Sequence, residues 1–269
     1  MTPVEAVFTV LCWNILYGHD PTQIASVIRT QNPDIVLLQE VGGGDTVVDG
    51  LTVATKLQGL TKYPYMWYSE EFRELRYGAG SNIGTGQAIL SRYPLEKPKK
   101  LVFKNQATDW SPPNPYNLLT WFNLRGYFQP RRGGRLAQIA TIRVSGGRWT
   151  IVNVHLESYE GYKLGLRQKQ VAEILETTKK NHAESLIVAG DLNADYKSPA
   201  VQMLFKSGFD NLIERCVTSQ PTTRDGYNYD WILFRSESGQ AMAQEPVKIL
   251  NNINNSDHYP LFATFRIKP

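Results

Sequence analysis

Polar side chains of the types that hold metals and phosphates stand where short apolar runs of this sequence begin or end. Strand ends that share one edge of a sheet bring such side chains together in a cleft. The chain has only 4 histidines, and two of them belong to this group. The candidate site residues are Asn14, Glu40, His155, Asp191, Asn193, Asp230, Asp257 and His258.

The acids in this group predict a bound cation. Glu40, Asp191, Asp230 and Asp257 lie beside apolar runs, where an unpaired carboxylate costs several kcal/mol to desolvate. Oxygen ligands with few nitrogens and no thiolate favour Mg²⁺, with Mn²⁺ as a substitute. Cleavage of a phosphate ester uses a metal, a carboxylate that deprotonates water and a histidine that stabilises developing charge. The residue types therefore indicate metal-dependent phosphoester hydrolysis.

The first two apolar runs predict a strand, a helix and a second strand. Phe8–Trp13 indicates a buried strand that delivers Asn14, and Ile35–Leu38 a second strand that delivers Glu40. Between them, Asp20-Pro21 is typical of a helix cap followed by proline in the first turn. The strands of such a unit are parallel, so Asn14 and Glu40 are expected at the same sheet edge.

The pattern recurs in the second half of the chain. Thr150–Val154 predicts a strand ending at His155, a helix is expected from about Tyr162 to Lys179, and Leu186–Ala189 predicts a strand that ends near Asp191.

Two further apolar runs, Trp231–Phe234 and Leu261–Phe265, follow Asp230 and His258 rather than precede them. If these strands run antiparallel to the earlier ones, their beginnings lie at the edge where the others end.

The middle of the chain differs from these units. Tyr63–Tyr68, Gln87–Leu90 and Leu136–Val144 favour antiparallel sheet, and the proline-rich stretch 105–117 predicts a loop. No repeat or long linker divides the sequence. We expect a single domain over residues 1–269, with two sheets between helical layers.

Composition excludes several classes of protein. With 42% hydrophobic and 20% charged residues, the 269-residue chain is not intrinsically disordered. Cys12 and Cys216 lack zinc-site spacing, so buried reduced thiols are expected. No long apolar run or signal-like start is present, and we expect a cytoplasmic monomer without stable membrane insertion. A secreted form with its signal removed would share this sequence.

Six strings of this sequence, taken in order, resemble the endonuclease/exonuclease/phosphatase superfamily, which has the DNase I-like fold. They are WNI, PDIVLLQE, GQAILSRYP, VHLE, GDLN and SDHYPL, and they span almost the whole chain. The resemblance implies an α/β fold, a four-layer sandwich in which two mixed β-sheets pack face to face with helices on both outer sides. It also implies a Mg²⁺-dependent phosphoesterase.

The resemblance implies a role for each candidate on the metal side. Glu40 matches the principal metal ligand, and Asn14 matches a neighbour that helps to hold the metal or its water. Asp257 matches an acid on the metal side or one step behind it.

The remaining candidates match residues that act on water and phosphate. Asp191 corresponds to the acid that aligns and deprotonates the attacking water, and Asn193 to a residue that positions that water and a phosphate oxygen. His258 matches the histidine that contacts the scissile phosphate, and Asp230 the carboxylate that fixes its tautomer. His155 matches a further phosphate contact.

Some residues leave two interpretations open. Arg167 lies on the apolar stripe of its predicted helix, and it is either a structural ion-pair partner or a substrate-binding residue. The glycine-rich stretch 77–86 precedes no helix, which favours an entry loop over a phosphate cradle. His19 and His182 are expected at the surface. A basic group suggests either a solvated face or a track for nucleic acid: Lys97, Lys99, Lys100, Lys104, Arg131, Arg132 and Arg135.

Departures from subgroup motifs narrow the expected function. Abasic-site endonucleases usually carry a tyrosine motif where this chain has Val154-His155-Leu156, and inositol polyphosphate phosphatases extend GDLN differently from Ala194-Asp195-Tyr196. The string HLES resembles that of tyrosyl-DNA phosphodiesterases but is widespread in the superfamily. We expect a phosphodiesterase that acts on DNA, RNA or a nucleotide-like diester. The alternatives are a phospholipid or phosphomonoester hydrolase on the same fold and, last, a non-catalytic binding protein.

Overall fold

Two β-sheets and four helices make up the described part of the computed structural model, which covers residues 6–44, 52–74, 83–107, 131–145, 147–158, 165–179, 185–212, 220–236 and 241–267. The strands are β1 (Ala6–Tyr17), β2 (Ile35–Gly44), β3 (Tyr65–Glu74), β4 (Ile83–Ser91), β5 (Glu96–Val102), β6 (Arg131–Gly133), β7 (Leu136–Val144), β8 (Gly147–His155), β9 (Ser185–Asp191), β10 (Asp210–Asn211), β11 (Asp230–Ser236), β12 (Ala241–Ala243), β13 (Lys248–Ile249) and β14 (Leu261–Ile267). The helices are α1 (Pro21–Gln31), α2 (Val53–Thr61), α3 (Leu166–Lys179) and α4 (Pro199–Lys206).

Strand order divides the chain between the two sheets. The first sheet has the order β12-β14-β1-β2-β4-β3-β6, with β13 also paired to β14, and the second has the order β10-β11-β9-β8-β7-β5. The pairs β1/β2 and β8/β9 are parallel, as the two sequence units predicted. The pairs β3/β4, β5/β7 and β7/β8 are antiparallel, which confirms the prediction for the middle of the chain.

Alternation along β1 shows how the layers are built. Leu11 and Trp13 are fully buried against the face that α1 and α2 cover. Val10 and Cys12 belong to the core between the sheets, because successive strand residues point to opposite faces. Helices α3 and α4 add their apolar residues to the core of the second sheet. The four-layer α/β sandwich is therefore confirmed.

Helix α1 begins at the predicted cap. The Asp20 carboxylate accepts hydrogen bonds from the main-chain N–H groups of Thr22 and Gln23, both at 3.0 Å, and Pro21 occupies the first turn. Asn32, in the left-handed conformation, closes the helix before Pro33. The predicted helix cap is thus confirmed.

Other sequence expectations have mixed outcomes. Cys12 is buried, as expected, while Cys216 and His182 lie outside the described residues. His19 is exposed, and residues 83–86 of the glycine-rich stretch belong to β4. Among the described residues, no helix is both long enough and apolar enough to cross a membrane.

Gly190 permits the close approach of β8 and β9. Its φ is 152°, and a Cβ atom added there would lie 1.7 Å from the main-chain oxygen of Val154. The same strand pair aligns His155 with Asp191. Glycine at this position therefore determines how these two side chains meet.

Gly190→Ala is expected to lower the free energy of unfolding by more than about 1 kcal/mol, because the added methyl group collides with main chain at a φ unsuited to alanine. Chemical denaturation measures the change. Gly59→Ala is the control, since Gly59 is an exposed position of α2 with no atom within 4 Å of the added Cβ, and it should stabilise the protein by up to about 1 kcal/mol. A Gly190→Ala protein as stable as wild type would contradict this account.

Candidate active site

A cleft of about 240 Å³ opens where the two sheets meet. Pockets that enclose a whole small molecule measure about 300–1,000 Å³, so this cleft fits a reacting group rather than an entire large substrate. Its lining residues are Tyr17, Glu40, Phe72, Thr85, Arg135, His155, Ser158, Asp191, Asn193 and His258.

Strand register brings the predicted residues to this cleft. In the first sheet Asn14 aligns with Gln39, the residue before Glu40. In the second sheet Asp191 aligns with both His155 and Asp230. Across the sheets, His155 Nε2 lies 3.9 Å from Glu40 Oε1 and 3.5 Å from Asp191 Oδ2. The convergence predicted from strand ends is therefore present for these residues.

The strands are irregular where they reach the cleft. β1 continues past Asn14 to Tyr17, with a register shift between these two residues against β2. Glu40 and Asn193 have φ values of 50° and 48°, a region that non-glycine residues seldom adopt. Each such residue costs on the order of 1–3 kcal/mol, and strain of this kind concentrates at functional sites.

His258, which lines the cleft, pairs with the buried Asp230, which does not line it. His258 Nδ1 lies 2.8 Å from Asp230 Oδ2, and 12% of the imidazole is exposed. Burial alone lowers the pKa of His258, but the carboxylates of Asp230, Asp191 and Asp257 outweigh this effect and raise it to about 10. Burial raises the pKa of Asp230, and His258 opposes that rise. At neutral pH the pair therefore joins a carboxylate to an imidazolium whose Nε2 is protonated.

Asp191 lies at the centre of the site. Its Oδ2 accepts a hydrogen bond from Asn14 Nδ2 at 3.1 Å and lies 3.8 Å from His258 Nε2. Its Oδ1 accepts from the main-chain N–H of Asn193 at 2.8 Å. These bonds hold the carboxylate between the two histidines.

Asn14 supports Asp191 from beneath the cleft. The residue is buried, and its Oδ1 accepts from the main-chain N–H of Leu16 at 3.1 Å. A reversed amide would set its oxygen against the Asp191 carboxylate, so the two bonds fix its orientation. This places Asn14 behind Asp191 and outside the cleft lining.

Asp257 lies at the margin of the site. Its side chain is exposed and accepts a hydrogen bond from Ser256 Oγ at 3.1 Å. It raises the pKa of His258, but it does not line the cleft. Its assignment as a metal ligand stays a prediction.

Arg167 contacts the site through main chain. Its Nη1 donates to the carbonyl oxygen of Asn193, which lines the cleft. The bond holds the segment that follows Asp191, and a role in substrate binding stays a prediction.

Two groups of residues could hold a cation. Glu40 and Asp191 offer carboxylates to the same cleft, which suits a hard ion such as Mg²⁺. Asp191, Asp230 and His258 also offer ligand atoms within 4.8 Å of one another. A histidine must be deprotonated at the ligating nitrogen, whereas both His258 nitrogens are protonated at neutral pH in this pair. The Glu40 side therefore fits the ion better.

Arg135, Glu71 and Gln87 belong to the site but were not predicted there. Only 6% of Arg135 is exposed, so the interpretation as a solvated residue is wrong for it, while contact with nucleic acid stays a prediction because Arg135 lines the cleft. Its Nη1 lies 2.7 Å from His155 Nδ1 and 3.2 Å from Glu71 Oε2. Gln87 Nε2 donates to Glu71 Oε1 at 2.7 Å. Burial raises the pKa of Glu71, but His155, Arg135 and Gln87 together outweigh this and leave it below its ordinary value.

Comparison with known proteins adds the family to this geometry. The model of the endonuclease/exonuclease/phosphatase family matches residues 11–241. The chain belongs to this family. Membership supports a hydrolase that acts on phosphoric esters. No curated protein matches the sequence.

Solved structures share the fold at low sequence identity. An endonuclease/exonuclease/phosphatase from Beutenbergia cavernae is 18% identical, with a TM-score of 0.70 over 97% of this chain and 72% of that one. The human Nocturnin catalytic domain with bound sulfate is 17% identical, with a TM-score of 0.68 over 98% and 97%. Truncated Caenorhabditis elegans TDP2 is 18% identical, with a TM-score of 0.60 over 96% and 97%. At these identities the similarity establishes the DNase I-like fold alone.

Asp230→Asn is expected to reduce phosphoester turnover by about 10- to 100-fold, because it removes the charge that holds His258 as a cation. With that carboxylate gone the pKa of His258 falls, so the alkaline limb of the pH profile of kcat/KM should move to lower pH. Asp225→Asn, an exposed aspartate on the preceding turn, is the control. Unchanged turnover would make Asp230 structural, and outright loss of metal affinity would make it a ligand.

Proposed function

We propose that the protein is a Mg²⁺-dependent phosphodiesterase that hydrolyses nucleic acid or a nucleotide-like diester. One observation carries the proposal: the Asp191 carboxylate lies between the Nε2 atoms of His155 and His258, at 3.5 and 3.8 Å, with Glu40 across the same cleft. A proton acceptor, proton donors and a metal ligand thus face one small volume. These are the groups that hydrolysis of a phosphate ester requires.

Glu40 and Asp191 are the side chains that would hold the metal. When bound, Mg²⁺ would neutralise negative charge on the phosphate oxygens. The Asp191 carboxylate, fixed by Asn14 and Asn193, accepts a proton from the attacking water. His258 directs its Nε2–H at the phosphate, where charge accumulates in the transition state. Asp230 keeps that donor charged and oriented.

A basic edge of the second sheet favours nucleic acid as the substrate. Lys97, Lys99 and Lys100 are exposed on β5, and Lys104 is exposed just beyond it. The strand leads to the cleft, because the Phe103 main-chain N–H donates to the Arg135 carbonyl oxygen at 3.1 Å. A row of lysines beside a catalytic cleft suits a chain of phosphates.

The phospholipid alternative has less support. Among the described residues, the exposed large hydrophobic side chains belong to β1, β3, β5, β12 and two loops. They are Val7, Tyr65, Val102, Tyr196, Tyr227 and Met242. Membrane-binding surfaces are contiguous and apolar. A non-catalytic role is disfavoured because the acid and histidine set is intact.

Chelation should abolish hydrolysis of a bis-aryl phosphodiester, and added Mg²⁺ or Mn²⁺ should restore it. Glu40→Gln is expected to weaken metal affinity, since it removes a ligand charge. Asp191→Asn is expected to lower kcat by at least about 10²-fold with a smaller loss of affinity, since it removes the proton acceptor. Calorimetric titration with Mg²⁺ and steady-state kinetics separate the two defects. Full activity in excess chelator would refute metal dependence.

The lysine edge predicts a salt-dependent affinity for nucleic acid. In an Asp191→Asn background, which prevents cleavage, Lys99→Gln with Lys104→Gln should reduce the magnitude of the slope of log Kobs against log salt by about 1.4. Fluorescence anisotropy with single-stranded DNA and RNA measures the slope. Lys206→Gln is the control, because Lys206 is exposed at the end of α4. The carbonyl oxygen of the next residue, Ser207, accepts a hydrogen bond from Arg235, which lies at the end of β11 opposite to Asp230. An unaltered slope would remove β5 from the binding surface.

A further inference from the structure

Two tyrosines stack on each other in the loop that precedes β11. The rings of Tyr227 and Tyr229 are parallel, with an interplanar angle of 3° and 5.0 Å between ring centres. Offset stacking of this kind is favourable for aromatic side chains. Tyr229 is partly buried, whereas 54% of Tyr227 stays exposed. The tyrosine pair thus offers solvent a flat aromatic surface.

Hydrogen bonds to two buried threonines hold this loop in one conformation. Thr222 Oγ1 accepts from the main-chain N–H groups of Tyr229 and Asp230, at 3.0 and 3.1 Å. Thr223 Oγ1 accepts from the Tyr227 N–H at 3.0 Å. The Tyr227 carbonyl oxygen in turn accepts from the N–H groups of both threonines, at 2.9 and 3.0 Å. A binding surface that is already ordered loses little conformational entropy when a ligand binds.

The same loop is attached to two segments that carry active-site residues. On one side, Thr223 and His258 pair through an isolated antiparallel bridge. On the other side, the main-chain N–H of Leu192, the residue after Asp191, donates to the Tyr229 carbonyl oxygen at 2.8 Å. The tyrosine pair therefore lies next to the residues that act on the phosphate.

Charge does not explain what this surface would bind. Arg224 and Asp225 are the charged residues of the loop, residues 220–229, and both are exposed. Their charges cancel, so the loop has no net attraction for a phosphate. Recognition there depends on the ring faces instead.

We propose that the tyrosine pair is a stacking site for an unpaired nucleobase beside the phosphate that the cleft hydrolyses. Every base has a flat π-face that stacks on an aromatic side chain whatever the sequence. Bases within a duplex are stacked on their neighbours, so single-stranded nucleic acid offers such a face most readily. The inference rests on the proposed function, and it narrows the substrate class to single-stranded nucleic acid.

Two matched oligonucleotides test the stacking site. One is a short single strand of thymidine nucleotides, and the other has the same backbone with an abasic sugar at every position. Their binding is measured by fluorescence anisotropy in an Asp191→Asn background, which prevents cleavage. Tyr227→Leu should weaken binding of the base-bearing strand by about 5- to 150-fold and leave the abasic strand unaffected, since only the base stacks. Tyr227→Phe keeps the ring and should match the parent protein on both strands.

Tyr65→Leu is the matched control, because Tyr65 is 40% exposed at the start of β3. There it aligns with Ser91, far along the sheet from Phe72 of the cleft lining. This variant should bind both strands as the parent does. Equal weakening of the two strands by Tyr227→Leu would show that the loop holds backbone or cleft shape, and would overturn the stacking site. Unchanged binding of the base-bearing strand would also overturn it.

The two proposals fail separately, because turnover of a bis-aryl phosphodiester by the wild-type protein is measured alongside binding. If that diester is hydrolysed while both strands bind equally well, the stacking site is refuted and the phosphodiesterase proposal stands. A preference for the base-bearing strand that depends on Tyr227, in a protein that hydrolyses no diester, would support the stacking site and refute the proposed function.

Discussion

The active site depends on holding two separate sheets in register, and buried amides across the core provide the directional contact. Gln39 Nε2 donates to Asn153 Oδ1 at 2.6 Å, and Asn153 Nδ2 donates to the main-chain oxygen of Leu38 at 3.1 Å. Asn153, a residue of the second sheet, is thereby hydrogen-bonded to the first sheet. Glu40 follows Gln39, and His155 lies two residues beyond Asn153, so these bonds act directly beneath the cleft. Apolar packing alone is non-directional. If one sheet shifted by one residue against the other, buried amide donors would lose their acceptors, at a cost of about 1–3 kcal/mol for each donor.

The amide network extends along the second sheet. Gln138 Oε1 accepts from Asn153 at 3.0 Å, and Gln138 Nε2 donates to the main-chain oxygen of Trp67 at 3.0 Å and to Ser69 Oγ at 3.1 Å. Ser69 belongs to β3, the strand that carries Glu71. The position of Glu71 is thus tied to the same core contacts as that of His155. The carboxylate and imidazole that Arg135 joins are both placed from below by uncharged groups.

The sequence predicted the parts of the fold and site that depend on local pattern. Phe8–Trp13 and Ile35–Leu38 are apolar and largely β-branched or aliphatic, and the intervening helix has the cap residues Asp20 and Pro21, so a parallel pair was the simplest arrangement. The polar residues beside these runs then had to share an edge. The prediction that one cleft gathers Glu40, His155, Asp191 and His258 needed no knowledge of the loops.

What the sequence did not predict depends on burial, which is a tertiary property. Glu71 stands in a run with Glu70 and Arg73 and looks like a solvated acid, yet β3 turns Glu71 inward while Glu70 pairs with Arg73. The sequence groups Arg135 with other basic residues, because the charge of a side chain does not indicate whether it enters the core. Glu71 and Arg135 are far apart in the sequence, and only the packing of the sheets brings them together. Helix α4 is different, since Ser198-Pro199 is a cap signal that could have revealed it.

The two histidines of the cleft differ in the neighbour that contacts Nδ1. Asp230 accepts a hydrogen bond from His258 Nδ1 and stabilises the imidazolium, whereas Arg135 Nη1 lies 2.7 Å from His155 Nδ1. The Nε2 atoms of the two rings lie 3.5 Å (His155) and 3.8 Å (His258) from Asp191 Oδ2. Strand pairing explains this arrangement, because Asp191 on β9 aligns with His155 on β8 and with Asp230 on β11. One row of the second sheet therefore fixes the position of the Asp191 carboxylate between the two rings from both sides.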